Sequence, residues 1–412
     1  MAMLVAIWFT PTFAAAQATQ GTPPAPTGNG EPKIASNPPE ASVAPTPADA
    51  LRFEESGRTF LQGHNWREAD ESLARAIELG VGPEAHLLRA QALIAQSKPD
   101  EARAEMNSYL GDREVKDLPI DDRMTCIEME AQLEILTDAK GSAPLLDRPL
   151  PEIMKAIPEL EGLEPAQSQQ PLTSLLKDLG ERAVVFFRDF NNTTSVELIE
   201  HRFFDRKGKP KSSIKREFQY LLARWPDASH AGLDEYRVEK SEPLGGMSNG
   251  LITTRGFASL SILFLPAFQE DSQFKYLGRQ PMGGYDSEVI AFAQSPGVAR
   301  LRSLFGIRDQ KPASTLFQGI VWIDRLTHQI VRLRTDLLYP VPKVHLTRET
   351  TEVRYAPVKF KKSAAPLWLP SEVVVTVEWR GRLVSNLHYY SDFRLFNVES
   401  NWKAKAPKVE PE

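Results

Sequence analysis

The chain has 412 residues, room for two domains and a tail at the usual size of about 100 to 200 residues per domain. Its 42% hydrophobic and 25% charged residues are ordinary for folded domains, and its one cysteine, Cys126, excludes an internal disulfide. The net charge of -5 hides a split, since residues 51–170 carry 13 Lys and Arg against 24 Asp and Glu, whereas residues 171–403 carry 33 against 25. A basic half behind an acidic half indicates either an anionic partner, such as lipid headgroups, or attraction between the halves.

Residues 1–16 resemble the back half of a secretory signal. An apolar run, LVAIWFTPTF, begins at Leu4 and is followed by small residues at signal-peptidase spacing. The run is shorter than the roughly 20 residues that span a bilayer, and no cysteine follows it for lipid attachment. A basic n-region is missing, since Lys33 is the first basic residue, which we interpret as a start site internal to the true one. We expect a periplasmic or secreted protein, with a cytoplasmic location as the alternative.

Two segments have the composition of disordered chain. Residues 17–50 consist largely of Pro, Ala, Thr, Gly and Ser, and residues 404–412 are dominated by Lys, Ala, Pro and Glu. Such segments bury too little apolar surface to offset the entropy that is lost on ordering. We therefore predict a disordered linker at 17–50 and a disordered tail at 404–412.

Residues 51–140 are predicted to form a helical module. Apolar and small residues recur there at helical spacing, and the pattern repeats once after 33 residues. The matched pairs are Gly57 with Ala90, Phe60 with Leu93, Ala69 with Ala102, and Leu73 with Met106. The pattern resembles the tetratricopeptide repeat, in which small residues let paired helices pack closely, and residues 119–136 add an amphipathic helix as a cap or a degenerate third repeat.

The inner face of each first repeat helix has two interpretations. It is a groove that docks a protein partner, or the module is a spacer that packs on its neighbour, because a stable stack usually needs at least about three repeats. The partner-binding candidates are Glu54, Arg58, Leu61, Leu87, Gln91 and Ile94.

Residues 171–403 are predicted to form an antiparallel β domain that follows a linker at 141–170. Residues 171–190 place apolar side chains on one helical face. After them, segments in which apolar and polar residues alternate are separated by turns that contain Gly or Pro. The predicted strands are residues 194–205, 212–222, 274–277, 288–293, 319–324, 330–337, 349–355, 372–379 and 383–390. The whole chain is thus predicted to be α+β, with a helical-repeat module before an antiparallel sheet.

Two stretches of this domain resemble the LolA/LolB type of bacterial lipoprotein carrier. The run YLGRQPMGGY at 276–285 is similar to that family's strand, glycine and short turn. Residues 318–324 and 329–333 are similar to its hairpin, here from Asp324 through Thr327 to Ile330. The resemblance implies a half-barrel sheet plugged by helices, with a cavity for a lipid or acyl chain. The charged tip at 206–211 and inserts around 299–312 depart from the pattern and leave the cargo open.

The most apolar run of the domain is FASLSILFLPAF at residues 257–268. Such a run is either the wall of a ligand cavity or a buried plug. Its ligand-binding candidates are Leu260, Leu263, Phe264 and Phe268. The hairpin tip supplies candidates for an anionic headgroup, or alternatively charges that prevent edge pairing between strands. These are Arg206, Lys207, Lys209 and Lys211.

Local motifs for catalysis or cofactor binding are absent from the sequence. The seven histidines never pair at helical spacing, and no phosphate loop, dinucleotide fingerprint or Gly-x-Ser-x-Gly turn occurs. Ser174 and Lys177 have the spacing of serine–lysine acyl-enzymes without the partner motifs, and Cys126 fits a small core residue. We expect no enzyme, no metal and no cofactor, and nothing indicates nucleic-acid binding.

The sequence therefore predicts a non-enzymatic periplasmic or envelope protein. It carries or senses a lipid, lipoprotein or other apolar ligand in the β domain, with peripheral membrane contact and a protein partner on the helical repeats. The alternative is a structural or assembly protein of the cell envelope with a filled β core. A hydrolase whose catalytic groups converge from distant positions is a third hypothesis.

Overall fold

The computed structural model of the chain describes residues 3–6, 46–205, 207–224, 232–240, 252–307, 312–361 and 365–396. The chain divides into two compact units. In the described residues, the helical unit comprises residues 46–137 and 296–298, and the β unit comprises the rest. The expected signal segment beyond residue 6, the expected linker up to residue 45 and the expected tail at 404–412 lie outside the described residues.

The helical unit is built from consecutive α-helices joined by short turns. They are α1 (Pro47–Gln62), α2 (Trp66–Glu78), α3 (Glu84–Ala95), α4 (Pro99–Leu110) and α5 (Ile120–Ala139), with a 3-10 turn at Val115–Asp117. α1 begins inside the segment expected to be linker, because Thr46 and Asp49 form a reciprocal capping box there. The Thr46 backbone N–H donates to the Asp49 carboxylate at 2.8 Å, which fixes the first turn.

Small residues bring the helices of this unit close together, as the sequence predicts. Ala69, Ala90 and Ala102 are fully buried. A Cβ at Gly57 would lie 2.5 Å from Cγ of Leu73, so α1 and α2 are in contact at this glycine. The predicted paired helices are present, and their resemblance to the tetratricopeptide repeat stays a prediction.

The described part of the β unit contains fifteen strands and three α-helices. The strands are β1 (Met3–Ala6), β2 (Glu164–Pro165), β3 (Thr193–Phe204), β4 (Pro210–Arg224), β5 (Leu233–Glu239), β6 (Ile252–Thr253), β7 (Ser272–Met282), β8 (Tyr285–Gln294), β9 (Ser303–Ile307), β10 (Ala313–Thr315), β11 (Phe317–Asp324), β12 (Ile330–Leu337), β13 (Leu346–Val358), β14 (Leu367–Trp379) and β15 (Arg382–Leu395). The helices are α6 (Leu150–Ala156), α7 (Leu172–Asp189) and α8 (Pro266–Gln269), with 3-10 turns at Leu145–Asp147, Pro158–Leu160, Leu260–Phe264 and Pro342–Val344.

Eleven of the strands form one large antiparallel sheet. Its order is β2-β7-β8-β11-β12-β13-β14-β15-β3-β4-β5, and β15 pairs with β3 although the two lie at opposite ends of the unit's sequence. In the described part of the chain β2 and β5 are its two edges, so this sheet is not a closed barrel. A second sheet has the order β10-β9-β1-β6, in which β1 and β6 are parallel.

The predicted helix and hairpins of this unit are confirmed. α7 covers residues 172–189 of the predicted 171–190, and each of the nine predicted strands is present. β1 is a departure, because Met3–Ala6 belongs to the run expected to be part of a signal segment. The sequence also missed β2, β5, β6, β9 and β10, which are short or, like β5, rich in charge.

Residues 141–170 are not a linker in the structure. Ile153 and Leu160 are fully buried, and the Gln169 side chain bonds both the backbone N–H and the C=O of Tyr276 at 2.8 Å. The Gln280 amide donates to the backbone oxygens of Glu159 and Glu161 at 2.9 and 2.7 Å. Prolines break the helical period of this segment, so its apolar residues have no regular spacing that the sequence pattern could reveal.

α7 packs on the rest of the β unit with the face that the sequence predicts. Leu179, Ala183 and Phe187 are buried at 1, 4 and 8% exposure. A Cβ at Gly180 would lie 2.8 Å from Nε2 of Gln269 and 3.3 Å from the backbone oxygen of Phe264. This glycine therefore sets how closely α7 approaches the segment that runs through α8.

Candidate functional site

A cleft opens beside α7, and we call it the α7 cleft. Its lining residues are Leu179, Arg182, Ala183, Phe186, Ala258, Ser261, His328, Gln329, Ile330, Tyr355 and Trp368. They come from α7, from the apolar segment before α8, from the start of β12 and the turn before it, and from β13 and β14. The cavity volume is about 30 Å³, which is room for about two waters at roughly 10–15 Å³ each.

The walls of the α7 cleft are mainly apolar. Tyr355 is 8% exposed, and its hydroxyl donates to the backbone oxygen of Phe257 at 3.0 Å, which ties β13 to the apolar segment. Trp368 on β14 lies against the Tyr285 ring with centroids 5.6 Å apart. The cleft therefore offers aromatic and aliphatic surface, and the Tyr355 hydroxyl in its wall is already bonded.

One side of the cleft is formed by the β11–β12 hairpin that the sequence singled out. The Asp324 carboxylate accepts hydrogen bonds from the backbone N–H and the hydroxyl of Thr327 at 2.9 and 2.6 Å. His328 follows in the left-handed conformation, with φ of 56°, and its Nδ1 lies 3.3 Å from the Asp178 carboxylate of α7. This turn thus joins the sheet to α7 at the mouth of the cleft.

The four ligand-binding candidates of the apolar run lie in the core of the β unit. Leu260, Leu263, Phe264 and Phe268 are 0, 2, 0 and 8% exposed. Phe264 makes an edge-to-face contact with Phe292 of β8, with centroids 5.5 Å apart. The cleft is instead lined by Ala258 and Ser261 of the same run.

A buried polar cluster, which we call the Glu197 cluster, lies on β3, β5 and β15. Glu197 is fully buried and accepts a hydrogen bond from Nη2 of Arg237 at 2.9 Å and a second one from Nε of the same guanidinium. Nδ1 of His388 lies 2.8 Å from the same carboxylate, and the Tyr390 hydroxyl donates to it at 2.7 Å. Sequence reasoning missed this cluster, because its members are up to 193 positions apart.

Charge and burial oppose each other in this cluster. Burial acts to raise the pKa of Glu197, but the Arg237 charge and the His388 hydrogen bond outweigh it and lower that pKa to about 2. Burial also lowers the pKa of the His388 imidazole. Glu197 is therefore ionised and His388 neutral, and donation from Nδ1 to the carboxylate leaves the lone pair of His388 on Nε2. That Nε2 atom has no hydrogen-bond partner within the described residues.

Glu349 is a second buried carboxyl group, on β13. It is 3% exposed, and neither of its oxygens has a hydrogen-bond partner in the described part of the chain. Burial raises the pKa of this group to about 7. The carboxyl therefore carries a proton at mildly acidic pH, because an unpaired charge would be costly in that environment.

The basic candidates of the β3–β4 tip are on the surface. Lys207, Lys209 and Lys211 are exposed, and Arg206 lies outside the described residues. The tip is held by Asp205, whose carboxylate accepts from the backbone N–H groups of Lys207 and Lys209 at 2.8 and 2.9 Å. Lys207 and Lys209 thus lie in a turn that Asp205 holds, and Lys211 lies at the start of β4.

The groove candidates of the helical unit divide into two groups. Leu87 and Ile94 are 7 and 4% exposed and belong to the core that α3, α4 and α5 enclose, so they offer no binding surface. Glu54 and Arg58 form an ion pair at 2.6 Å across one turn of α1. Leu61 and Gln91 are half-buried. Helical spacing alone does not distinguish a groove face from a core face. For this reason the sequence assigns the buried Leu87 and Ile94 to the groove.

Ser174 and Lys177, weighed for chemistry, each contact another group. The Ser174 hydroxyl donates to the Pro171 backbone oxygen at 2.9 Å, and Nζ of Lys177 lies 3.6 Å from Glu181. Cys126 is buried, and burial raises the pKa of its thiol. Within the described residues, no three His, Cys, Asp or Glu side chains are grouped to hold a metal ion.

Comparisons with known proteins give partial likenesses. No family model matches the chain, and no curated protein has a matching sequence. A Vibrio parahaemolyticus domain named for outer membrane lipoprotein sorting is 11% identical with a TM-score of 0.30, over 55% of this chain and 94% of that one. A DUF1329 family protein from Desulfovibrio piger is 13% identical with a TM-score of 0.29, over 56% of this chain and 95% of that one. A chain of the Pseudomonas aeruginosa MucA/MucB complex is 12% identical with a TM-score of 0.16, over 53% and 98%.

Among the described residues, no helix is both long enough and apolar enough to cross a membrane.

Proposed function

We propose that the β unit is a non-enzymatic envelope module that binds an apolar chain, such as the acyl chain of a lipid or lipoprotein, in the α7 cleft. The observation that carries the proposal is the lining of this cleft. Leu179, Phe186 and Ile330 line this space, and the Tyr355 hydroxyl in its wall is already bonded. Such a site favours methylene groups, because its lining is mainly apolar.

The cavity of about 30 Å³ is too small for a whole acyl chain, so the proposal requires α7 to move away from the cleft when the chain binds. Burial of one methylene contributes about 0.8 kcal/mol, so a chain of about ten contributes about 8 kcal/mol. Exposing Leu179 and Phe187 of α7 would cost about 1.5–3 kcal/mol each. A bound chain can therefore replace the apolar contacts that α7 loses.

Binding of a neutral apolar dye to the purified full chain tests this function. Ala183 is 4% exposed and lines the cleft, whereas the next residue, Val184, is 41% exposed. We expect Ala183→Trp to fill the cleft and abolish saturable naphthylamine dye binding, and Val184→Trp to leave it unchanged. Native mass spectrometry should also detect a co-purifying lipid. Wild-type protein with no lipid and no saturable dye binding would exclude the proposal.

The small cavity favours a second function, that of a structural or assembly protein of the envelope. In that case the sheet and α7 form a filled core, and neither lipid nor dye binds. The dye experiment separates the two functions, since each predicts a different result for the wild-type protein.

We also propose that the helical unit docks a protein partner. α5 exposes Ile120, Met124 and Ile127 at 60, 54 and 48%, and their spacing places them on one helix face. Exposed apolar side chains in a row are typical of a binding surface. A photo-crosslinker at Met124 should give a discrete conjugate in cells, whereas one at the exposed Glu71 of α2 should not.

A further inference from the structure

Arg182 lies at the α7 cleft and is exposed to solvent. Its side chain contributes to the lining, although it lies on an otherwise apolar wall between Leu179 and Phe186. Within the described residues, its guanidinium makes no hydrogen bond and no ion pair. Among the described residues, this exposed charge beside apolar surface therefore has no anionic partner.

The acidic groups nearest in sequence on α7 are already engaged. Asp178 stands one turn before Arg182, at the spacing of a helical ion pair, but its carboxylate lies 3.3 Å from Nδ1 of His328. Glu181 lies 3.6 Å from Nζ of Lys177. These contacts leave the Arg182 guanidinium available for an external anion.

We propose that the α7 cleft selects a long-chain carboxylate, with Arg182 as the ligand of its head group. This proposal rests on the proposed function, since the alkyl chain would occupy the apolar part of the cleft. A guanidinium presents parallel N–H donors that match the two oxygens of a carboxylate. A fatty acid anion thus complements both the apolar wall and the free charge, whereas a neutral amphiphile complements the wall alone.

Calorimetric titration of the full chain at pH 8 with dodecanoate and with dodecanol, both below their aggregation limits, tests this selectivity. The two probes share one chain and differ in head-group charge. We expect the wild-type protein to bind dodecanoate about fivefold more tightly, as suits a partly exposed ion pair. Arg182→Gln should remove that preference and leave the affinity for dodecanol unchanged.

Two variants are controls. Arg188→Gln removes a charge from the same helix, where Arg188 already pairs with Asp189 at 2.7 Å, and should keep the preference. Arg182→Lys should keep part of the preference for dodecanoate, since the positive charge remains but the parallel N–H donors of the guanidinium are lost. Thermal unfolding by circular dichroism should show an unchanged transition for all three variants.

The possible failures are distinguishable. Equal wild-type affinity for the two probes overturns the selectivity and leaves apolar-chain binding intact. A preference that survives in Arg182→Gln overturns the role of Arg182. Absence of binding by both probes overturns this inference and the proposed function together.

Discussion

Glu197 and Arg237 form a doubly hydrogen-bonded ion pair inside the β unit, with their side chains 0 and 4% exposed. Desolvation of both charges costs several kcal/mol, and the attraction offsets it as long as both partners are present. The pair therefore makes the pairing of β3, β4 and β5 sensitive to the loss of either partner.

Replacement of one partner should destabilise the fold strongly. Arg237→Met leaves the Glu197 carboxylate buried without its cation, and we expect a loss of about 3–5 kcal/mol in the free energy of unfolding. Adding Glu197→Gln should recover part of the loss, since a neutral amide oxygen still accepts from His388 and Tyr390. Urea unfolding of the three proteins measures this, and a loss below about 1 kcal/mol in Arg237→Met would show that the site is hydrated.

Glu349 should give the fold a dependence on pH. Its pKa of about 7 in the folded state exceeds the ordinary 4.5. Between these two pH values the folded chain therefore holds a proton that the unfolded chain has released. Stability from this group is full below about pH 4.5 and is lost as pH rises through 7, by about 3 kcal/mol in total. Glu349→Gln should remove this slope and raise stability at pH 8. Urea unfolding from pH 5 to 8 checks it, and equal slopes in both proteins would contradict it.

Gly180 should control how closely α7 packs against Gln269 and the backbone of Phe264. Gly180→Ala places a Cβ 2.8 Å from Gln269 and 3.3 Å from the Phe264 backbone oxygen, which cannot move as freely. We expect a loss of about 1–3 kcal/mol from overpacking, together with increased binding of an apolar dye as α7 loosens. Gly232→Ala is the matched control, since a Cβ there meets nothing within 4 Å. Similar unfolding curves for the two variants would argue against close packing at Gly180.

The apolar run should behave as core. Leu263→Glu and Phe264→Glu each bury a carboxylate without a partner, and we expect loss of the cooperative thermal transition. Leu326→Glu is the control, because Leu326 is 90% exposed at a hairpin tip. Circular dichroism of the three variants is the measurement. An intact transition in Phe264→Glu would show that this position faces a ligand space.

The sequence predicts the hairpins of the β unit because alternation and turn residues act over short distances. Val373, Val375 and Val377 alternate with half-buried residues on β14, and all three are buried at 0 to 1% exposure. The same reasoning fails where apolar spacing is irregular, as at Ile153 and Leu160, which it assigns to a linker.

The Glu197 cluster could not be predicted from local sequence patterns, for a different reason. On β3 the charged Glu197 is fully buried, whereas its neighbours Val196 and Leu198 are half-buried, so alternation indicates the opposite face. The partners come from β5 and β15, and local spacing carries no information about them. In the α7 cleft, the hairpin at Asp324 was recognisable, but the position of Arg182 depends on how α7 packs.

The pairing of β15 with β3 has a consequence for biosynthesis. Tyr390 and Glu197 are bonded across 193 positions, and a ribosome adds about 5–20 residues per second. β3 is therefore synthesised about 10–40 s before its neighbour β15. During this time one of its edges is unpaired and can associate with other nascent chains. Contacts of such high sequence separation also slow folding, so the sheet closes late, after its C-terminal strand has emerged. Holding the chain unfolded through synthesis, by a chaperone or by transport, would protect this edge until its partner strand arrives.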